Sequence, residues 1–290
     1  MSFGGADLHC HSTCSDGLDS PARLVERAVE AGLSALALSD HDALHGLPAL
    51  EAAARGTGLI PVAGVELSTR SGEEDVHLLG LFVDPEEPLL LARLGEMRSA
   101  RERRGEAIVE RLREAGVELD LEAIRTAVAG GAFGRPHVAR ALVEKGVVAT
   151  FDEAFDLWLS RGRPGHVPKP KWSLADAIGA VRRAGGLAVL AHPVWYEDPM
   201  ALIASGLPAG LDGVEVTHPD HDGAQEEALA AAARQAGLLV TAGSDYHGPP
   251  QGGKTVGGRR LPEEPWLRLV EAARRRRSES GRDPVDLSPR

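Results

Sequence analysis

The sequence predicts an α/β fold whose sheet is mainly parallel, either open or closed into a barrel. Two observations predict it. Apolar, β-branched runs alternate with helical stretches up to about Val83 and again after Pro170. Short runs of acid and imidazole residues recur where most of those apolar runs end. Loops at one end of a set of parallel strands converge, so side chains distant in sequence can meet there.

Taken in order, residues 21–31 and 47–55 have helical composition, with Pro21 and Pro48 near the starts, where proline is tolerated. Residues 34–39, 59–67 and 76–83 read as strands. From about Pro85 to Gly165 the pattern changes. Residues 89–115 form a long charged helical stretch with Arg and Glu at helical spacing, and 121–129, 135–144 and 151–159 read as shorter helices. This predicts an inserted all-helical subdomain, and inserted helices over a barrel mouth commonly cap a site and select its substrate. Strands at 187–191, 213–217 and 238–242 then alternate with helices at 174–184 and 224–236. The expected division is 1–84 and 166–261 for the two parts of the barrel, 85–165 for the insertion, and 262–290 for a C-terminal helix and tail. The Arg274 to Arg277 run reads as part of a solvated tail.

At 290 residues and 43% hydrophobic, the chain can bury a sizeable core. No apolar run approaches the roughly 20 residues of a membrane span, so no membrane partner is expected. No basic segment followed by an apolar one opens the chain, and Cys10 and Cys14 are too close for a disulfide scaffold, so a cytoplasmic location is expected. The net charge of -11 argues against a long nucleic-acid partner, which needs basic surface, and leaves room for a local phosphate pocket.

The polar runs are Asp-Leu-His-Cys-His-Ser at 7–12, Ser-Asp-Gly at 15–17, Ser-Asp-His-Asp at 39–42, Gly-Val-Glu at 64–66, Val-His-Leu-Leu-Gly at 76–80, Ala-His-Pro at 191–193 and Gly-Ser-Asp-Tyr-His-Gly at 243–248. His9 and His11 sit two apart on a short strand and share a face, with Cys10 turned away. Six of the eleven histidines fall in these runs. Histidines without a ligand role would scatter over polar surface, whereas imidazole and carboxylate together suit divalent transition metals. The pattern points to a multinuclear metalloenzyme.

These ordered motifs resemble the PHP family (polymerase and histidinol phosphatase) over residues 6–83 and 187–248, and the helical insert resembles that of its ribonuclease AM group of nucleotide phosphatases. The resemblance implies a distorted seven-stranded β/α barrel with metals at the strand C-terminal ends. It implies a first metal on His9, His11, Glu66 and Asp245. A second would be bridged by Glu66 and completed by His77 and His192, and a third held by Asp16, His41 and His247. Relatives resembling histidinol phosphatase often carry His where this chain has Asp16, a departure that weakens the third site or shifts its metal preference. Two or three divalent ions are implied, manganese first, with iron and zinc as alternatives. Such ions cancel the charge of a phosphate ester and lower the pKa of bound water towards about 7.

The implied activity is hydrolysis of a phosphomonoester on a small nucleotide, foremost a nucleoside 3′,5′-bisphosphate losing its 3′-phosphate. Alternatives are trimming of short RNA from its 5′ end, a histidinol-phosphate-type activity, and a non-catalytic metal-stabilised module. Further candidates lie beside the ligands. Asp7 and Asp40 could each orient an imidazole or serve as a proton acid, the other reading being a helix cap or strand-end turn, and Asp40 is the catalytic candidate of the two. In Gly-Arg-Pro-His at 134–137, Arg135 offers a fork for phosphate and His137 another donor, the other reading being a helix cap. His218 and His221 follow the strand at 213–217 and could act on the phosphate or hold the loop backbone; His221 joins Asp40 as a catalytic candidate. Lys169 could reach an anion or simply be solvated. Trp158 and Trp172 read as packing residues.

Overall fold

The computed structural model describes residues 2–127, 133–168, 172–249, 254–283 and 287. Its strands are β1 (Ala6–Asp7), β2 (Ala35–Leu38), β3 (Ile60–Ser71), β4 (Glu74–Leu81), β5 (Trp172–Ser173), β6 (Leu187–Leu190), β7 (Gly213–Thr217) and β8 (Leu239–Ala242). Seven of them run in the order β1-β2-β3-β4-β6-β7-β8, and β5 pairs with β3 beside that path. The ends of the path meet. Leu8 N donates to Ala242 O at 3.0 Å, and Cys10 bridges to Tyr246 in parallel. The expected seven-stranded barrel is therefore present.

Its sheet departs from the parallel expectation at one strand. β4 is antiparallel to both β3 and β6, while β1-β2, β2-β3, β6-β7 and β7-β8 are parallel. Ser71 pairs with Glu74, so only Gly72 and Glu73 turn the chain, with Gly72 at φ +57°. A parallel return needs a crossover of roughly a dozen residues, so a link this short must reverse the strand. The reversal brings His77, near the start of β4, opposite Ser68 near the end of β3.

Alternation along the strands separates two apolar faces. Leu36, Leu38, Leu78, Leu190 and Val214 pack outward with α1 (Pro21–Glu30), α2 (Leu47–Ala54) and α7 (Leu174–Arg183). Ala35, Ala37, Val62, Leu79, Leu81, Leu187 and Val189 face the other way and meet Trp266, Leu269 and Ala273 of α10 (Glu263–Glu279), which plugs one end of the barrel. Glu66 shares a parity with Val62, and His77 with Leu79. The inward faces thus change from apolar to ionisable towards the opposite end. The Arg274 to Arg277 run lies within α10 and is not a solvated tail, since Arg276 pairs with the largely buried Asp212 at 2.6 Å.

Helices also occupy the stretch between β4 and β5. They are α3 (Pro88–Glu114), α4 (Leu121–Ala127), α5 (Arg135–Glu144) and α6 (Phe151–Ala154), the last running into a π-helical turn at Phe155–Leu159. The expected continuation of α4 through 128 and 129 lies outside the described residues. Ile108, Leu112, Phe133, Val138, Leu142 and Leu159 form an apolar cluster of their own. α3 serves two cores, because Leu90, Leu94 and Met97 near its start pack with the barrel cluster. Trp172 also packs in the barrel cluster, and Trp158 lies against the helical one. Two further helices, α8 (Pro199–Gly206) and α9 (Gly223–Ala236), flank β7; the sequence reading missed α8.

Gly105 on α3 has no room for a side chain, since a Cβ there would lie 2.3 Å from a ring carbon of Phe133. Gly105→Ala should destabilise the protein by about 1–3 kcal/mol through overpacking. Thermal melting checks this, and an unchanged Tm would mean that the Phe133 ring yields freely.

Candidate active site

Glu66 stands at the centre of the ionisable end of the barrel, 1% exposed. Its Oε1 lies 2.8 Å from His77 Nδ1 and 3.0 Å from His192 Nε2. Its Oε2 lies 3.0 Å from His41 Nδ1, 3.2 Å from His11 Nε2 and 3.4 Å from His9 Nε2. Asp245 Oδ1 completes a group with His11 and His9 at 3.4 and 3.5 Å. Asp16 gathers His247 at 3.4 Å and His41 at 3.7 Å. The nine residues expected as ligands are thus drawn together from seven short segments, some at strand ends, Glu66 and His77 within strands.

Local backbone makes the convergence possible. His9 and His11 lie just beyond β1 on extended chain, tied across by Asp245 N to His9 O at 2.8 Å and His11 N to Tyr246 O at 2.9 Å. His192 and Asp245 adopt φ of +29° and +47°, sparsely populated for non-glycine residues and a recurrent feature of functional sites. Gly243 must lack a side chain, because a Cβ there would sit 2.2 Å from His9 Cβ.

The donor set fits divalent cations. Nε2 of His9 and of His11, Nδ1 of His41 and Oε2 of Glu66 are buried without a hydrogen-bond partner among the described residues. Buried polar atoms are seldom left so, and four groups of imidazole and carboxylate atoms here could each hold an ion. Burial alone would neutralise Glu66, but His41, His77 and His9 hold its carboxyl well below the usual range. Burial likewise works against a charge on His11, yet Asp245 and Glu66 raise it to about 10.

Beside this cluster a cavity of about 100 Å³ is bounded by Asp16, His41 and His77 on one side and by Arg101, Arg104 and Arg135 on the other. Arg101 pairs with Asp42 at 2.5 Å, and Arg104 donates to Val167 O at 2.6 Å. Burial, with Arg135 and Arg101 nearby, lowers Arg104 to about 9. Arg135, expected as a phosphate contact, lines this cavity. Sequence reasoning missed Arg101 and Arg104, which look like ordinary members of a charged helix.

Other expected residues take different places. Asp40 accepts from Ser12 N and Oγ, both at 2.7 Å, and from Ser15 Oγ at 2.5 Å. Both oxygens brace a loop, as in the alternative reading of this residue. His221 donates from Nδ1 to Val216 O at 2.7 Å and is likewise a loop brace, with no ion pair to the cluster among the described residues. Asp7 accepts from Ser244 N and Gly257 N at 2.9 and 2.8 Å, so it ties backbone and orients no imidazole. His137 Nδ1 accepts from Gly134 N at 3.2 Å as a helix cap, and burial first of all pushes its pKa down to about 4, so it brings no charge to an anion. His218 does reach the cluster, with Nε2 3.4 Å from Asp245 Oδ2. Lys169 lies outside the described residues.

The support that sequence reasoning overlooked is Glu215. It is fully buried on β7, with Oε1 3.0 Å from His9 Nδ1 and Oε2 accepting from His192 N at 2.8 Å. A lone carboxylate inside the apolar strand at 213–217 was the available signal. Tyr196 adds to this, its hydroxyl accepting from His77 N at 2.9 Å.

A family model described as the PHP domain matches residues 7–156, about half of the chain. The chain belongs to the PHP family. A 3′,5′-nucleoside bisphosphate phosphatase of Chromobacterium violaceum is 38% identical over 87% of this chain and 90% of its own length. The 5′-3′ exoribonuclease Rnm of Escherichia coli is 38% identical over 84% and 85%. A solved structure from Bifidobacterium adolescentis, described as a candidate metal-dependent phosphoesterase, superposes with a TM-score of 0.85 at 32% identity, covering 92% of this chain and 96% of that one.

Partners that orient a ligating imidazole typically change metal affinity about 10–100-fold when lost. Glu215→Gln should weaken manganese binding within that range while the fold persists, as metal content after dialysis would reveal; unchanged content would reduce Glu215 to a packing role. His11 carries a proton at neutral pH when no cation is bound, and a cation must displace it. Manganese affinity should therefore rise from about pH 6 to about pH 8 with proton release, measurable by calorimetry in buffers of different ionisation enthalpy.

Proposed function

We propose that this protein is a cytoplasmic metal-dependent phosphoesterase that removes the 3′-phosphate from a nucleoside 3′,5′-bisphosphate, leaving the 5′-monophosphate. One observation carries the reading: the imidazole and carboxylate cluster, several of whose atoms have no hydrogen-bond partner among the described residues, reaches through Asp16, His41 and His77 a small cavity lined on its other side by the buried Arg101 and Arg104 and the half-buried Arg135. The cluster suits the phosphate that is hydrolysed, and the arginines suit a second phosphate that is not. Names of the relatives, a bisphosphate phosphatase and an exoribonuclease, support substrates of this class.

The first cation would be held by His9, His11, Glu66 and Asp245, a second by Glu66, His77 and His192, and a third by Asp16, His41 and His247, with manganese the proposed ion. Bound there, such ions neutralise phosphate charge and make water nucleophilic at neutral pH. The chain's own groups do the rest. Glu215, facing His9 Nδ1, fixes the tautomer that leaves Nε2 free for ligation. Arg135 and Arg104 hold the spectator phosphate with forked, charge-assisted hydrogen bonds. Arg101 is pinned by Asp42 and adds positive potential. Glu66, shared by two ligand groups, keeps their spacing constant. The helical insertion at 85–165 caps the site and carries all three arginines, so it selects the substrate. The net charge of -11 favours small substrates over long RNA.

A second reading is 5′-3′ trimming of short RNA, favoured by the similarity to the E. coli exoribonuclease. Phosphate release from manganese-loaded protein should distinguish the two on a panel of 3′,5′-bisphosphoadenosine, 5′-AMP, histidinol phosphate and a 5′-phosphorylated RNA trimer. Selective 3′-phosphate release is expected. Mononucleotide release from the trimer would instead promote the exonuclease, and inactivity on every substrate would overturn the proposal. Arg135→Ala should raise KM for the bisphosphate far more than for a simple aryl phosphate. Equal effects on the two would return Arg135 to a purely structural place.

A further inference from the structure

Asp245 presents its two oxygens to different surroundings. Oδ1 faces His11 and His9 at 3.4 and 3.5 Å. Oδ2 faces away from them, 2.9 Å from Lys254 Nζ. His218 Nε2 is also 3.4 Å from Oδ2 but lacks the geometry of a hydrogen bond, so Lys254 is the hydrogen-bond donor on that oxygen among the described residues. The lysine is itself fixed. Its ammonium lies 3.3 Å from Asp220 Oδ2 and 5.4 Å from the centre of the Trp195 ring, and the Trp195 indole N–H donates to that same Asp220 oxygen at 3.1 Å. Three loops, following β6, β7 and β8, therefore hold one ammonium against one carboxylate oxygen. The pair is largely shielded, with the Lys254 side chain 18% exposed and that of Asp245 4%, so water competes weakly for it.

We infer that Lys254 is a positioning residue that occupies Asp245 Oδ2 and so limits this carboxylate to one oxygen, Oδ1, on the His9–His11 side. The inference rests on reading the cluster as a metal centre. A carboxylate beside a divalent ion can offer one oxygen or both, and catalytic metal sites depend on a coordination position left open for water or substrate. A charge-assisted bond to Oδ2 opposes rotation of the carboxylate into a two-oxygen grip. Loss of the ammonium frees that oxygen to bind the ion and fill the open position. This yields a signature that a plain structural brace would not: turnover falls while the ion is held at least as tightly.

Lys254→Met, titrated with manganese alone by calorimetry, should bind the ion with unchanged or tighter Kd, while kcat on the bisphosphate falls at least tenfold and KM changes little. The cobalt-loaded variant should absorb more weakly in the visible than wild type as the coordination number rises. Lys254→Arg should recover much of kcat, because a guanidinium can donate to the same oxygen. Asp220→Asn, outside the cluster, should shift kcat in the same direction by a smaller factor, and it stands in should Lys254→Met fail to fold. A manganese Kd weakened tenfold or more in both Lys254→Met and Asp220→Asn, a change confined to KM, or an unaltered kcat would each overturn the inference. Wild-type protein that takes up no manganese would instead overturn the metal-centre reading itself.

Discussion

The burial of the Glu66 carboxylate among five imidazoles is the constraint on which the rest of the molecule depends. His9, His11, His41, His77 and His192 all lie within 3.4 Å of its two oxygens, on a residue that is 1% exposed. Burying so many polar atoms is costly unless each finds a partner, and several here find no hydrogen-bond partner among the described residues. Their common need is cations. The barrel is the scaffold that can bring them together, because its strand ends are the one place where distant segments converge on a shared axis.

A second layer holds the first in register. Glu215 touches His9 and the His192 backbone, Tyr196 the His77 backbone, and Lys254 the outer oxygen of Asp245. Asp40, Asp7 and His221 belong to the same layer, although each sits in a motif that looks catalytic. The oxygens of Asp40 and Asp7 and Nδ1 of His221 bond loop backbone and hydroxyl groups, while His221 Nε2 has no hydrogen-bond partner among the described residues. In a site assembled from loops, positioning consumes as many ionisable groups as chemistry does.

Opposing charge distributions meet across the small cavity. The cluster wall presents carboxylates and imidazoles, and the helical wall presents Arg101, Arg104 and Arg135. Burial first, and then the neighbouring arginines, lower Arg104 and Arg135, which is tolerable where an anion completes the set. α3 connects this wall to the barrel, since its first turns pack in the barrel core and its later turns in the helical cluster. Arg101 and Arg104 are thereby placed by α3 itself, and Arg135 by α5, which packs in the same helical cluster.

The sequence alone determined residue type and local period. The nine clustered residues, most of the strand and helix order (α8 and β5 excepted) and a helical stretch between the barrel halves were legible, because a short motif and a 3.6-residue repeat are properties of a few adjacent residues. Direction, partnership and convergence were decided only in three dimensions. β4 reversed because a two-residue link permits nothing else, and so His77 entered the cluster from within a strand. Asp40 and Asp245 both precede or follow histidines, yet one meets serines and the other the cluster. Glu215, Lys254, Arg101 and Arg104 carry no motif, and what distinguishes them is a neighbour dozens or hundreds of residues away. Such contacts are set by register and packing of the whole barrel, which no local window of sequence contains.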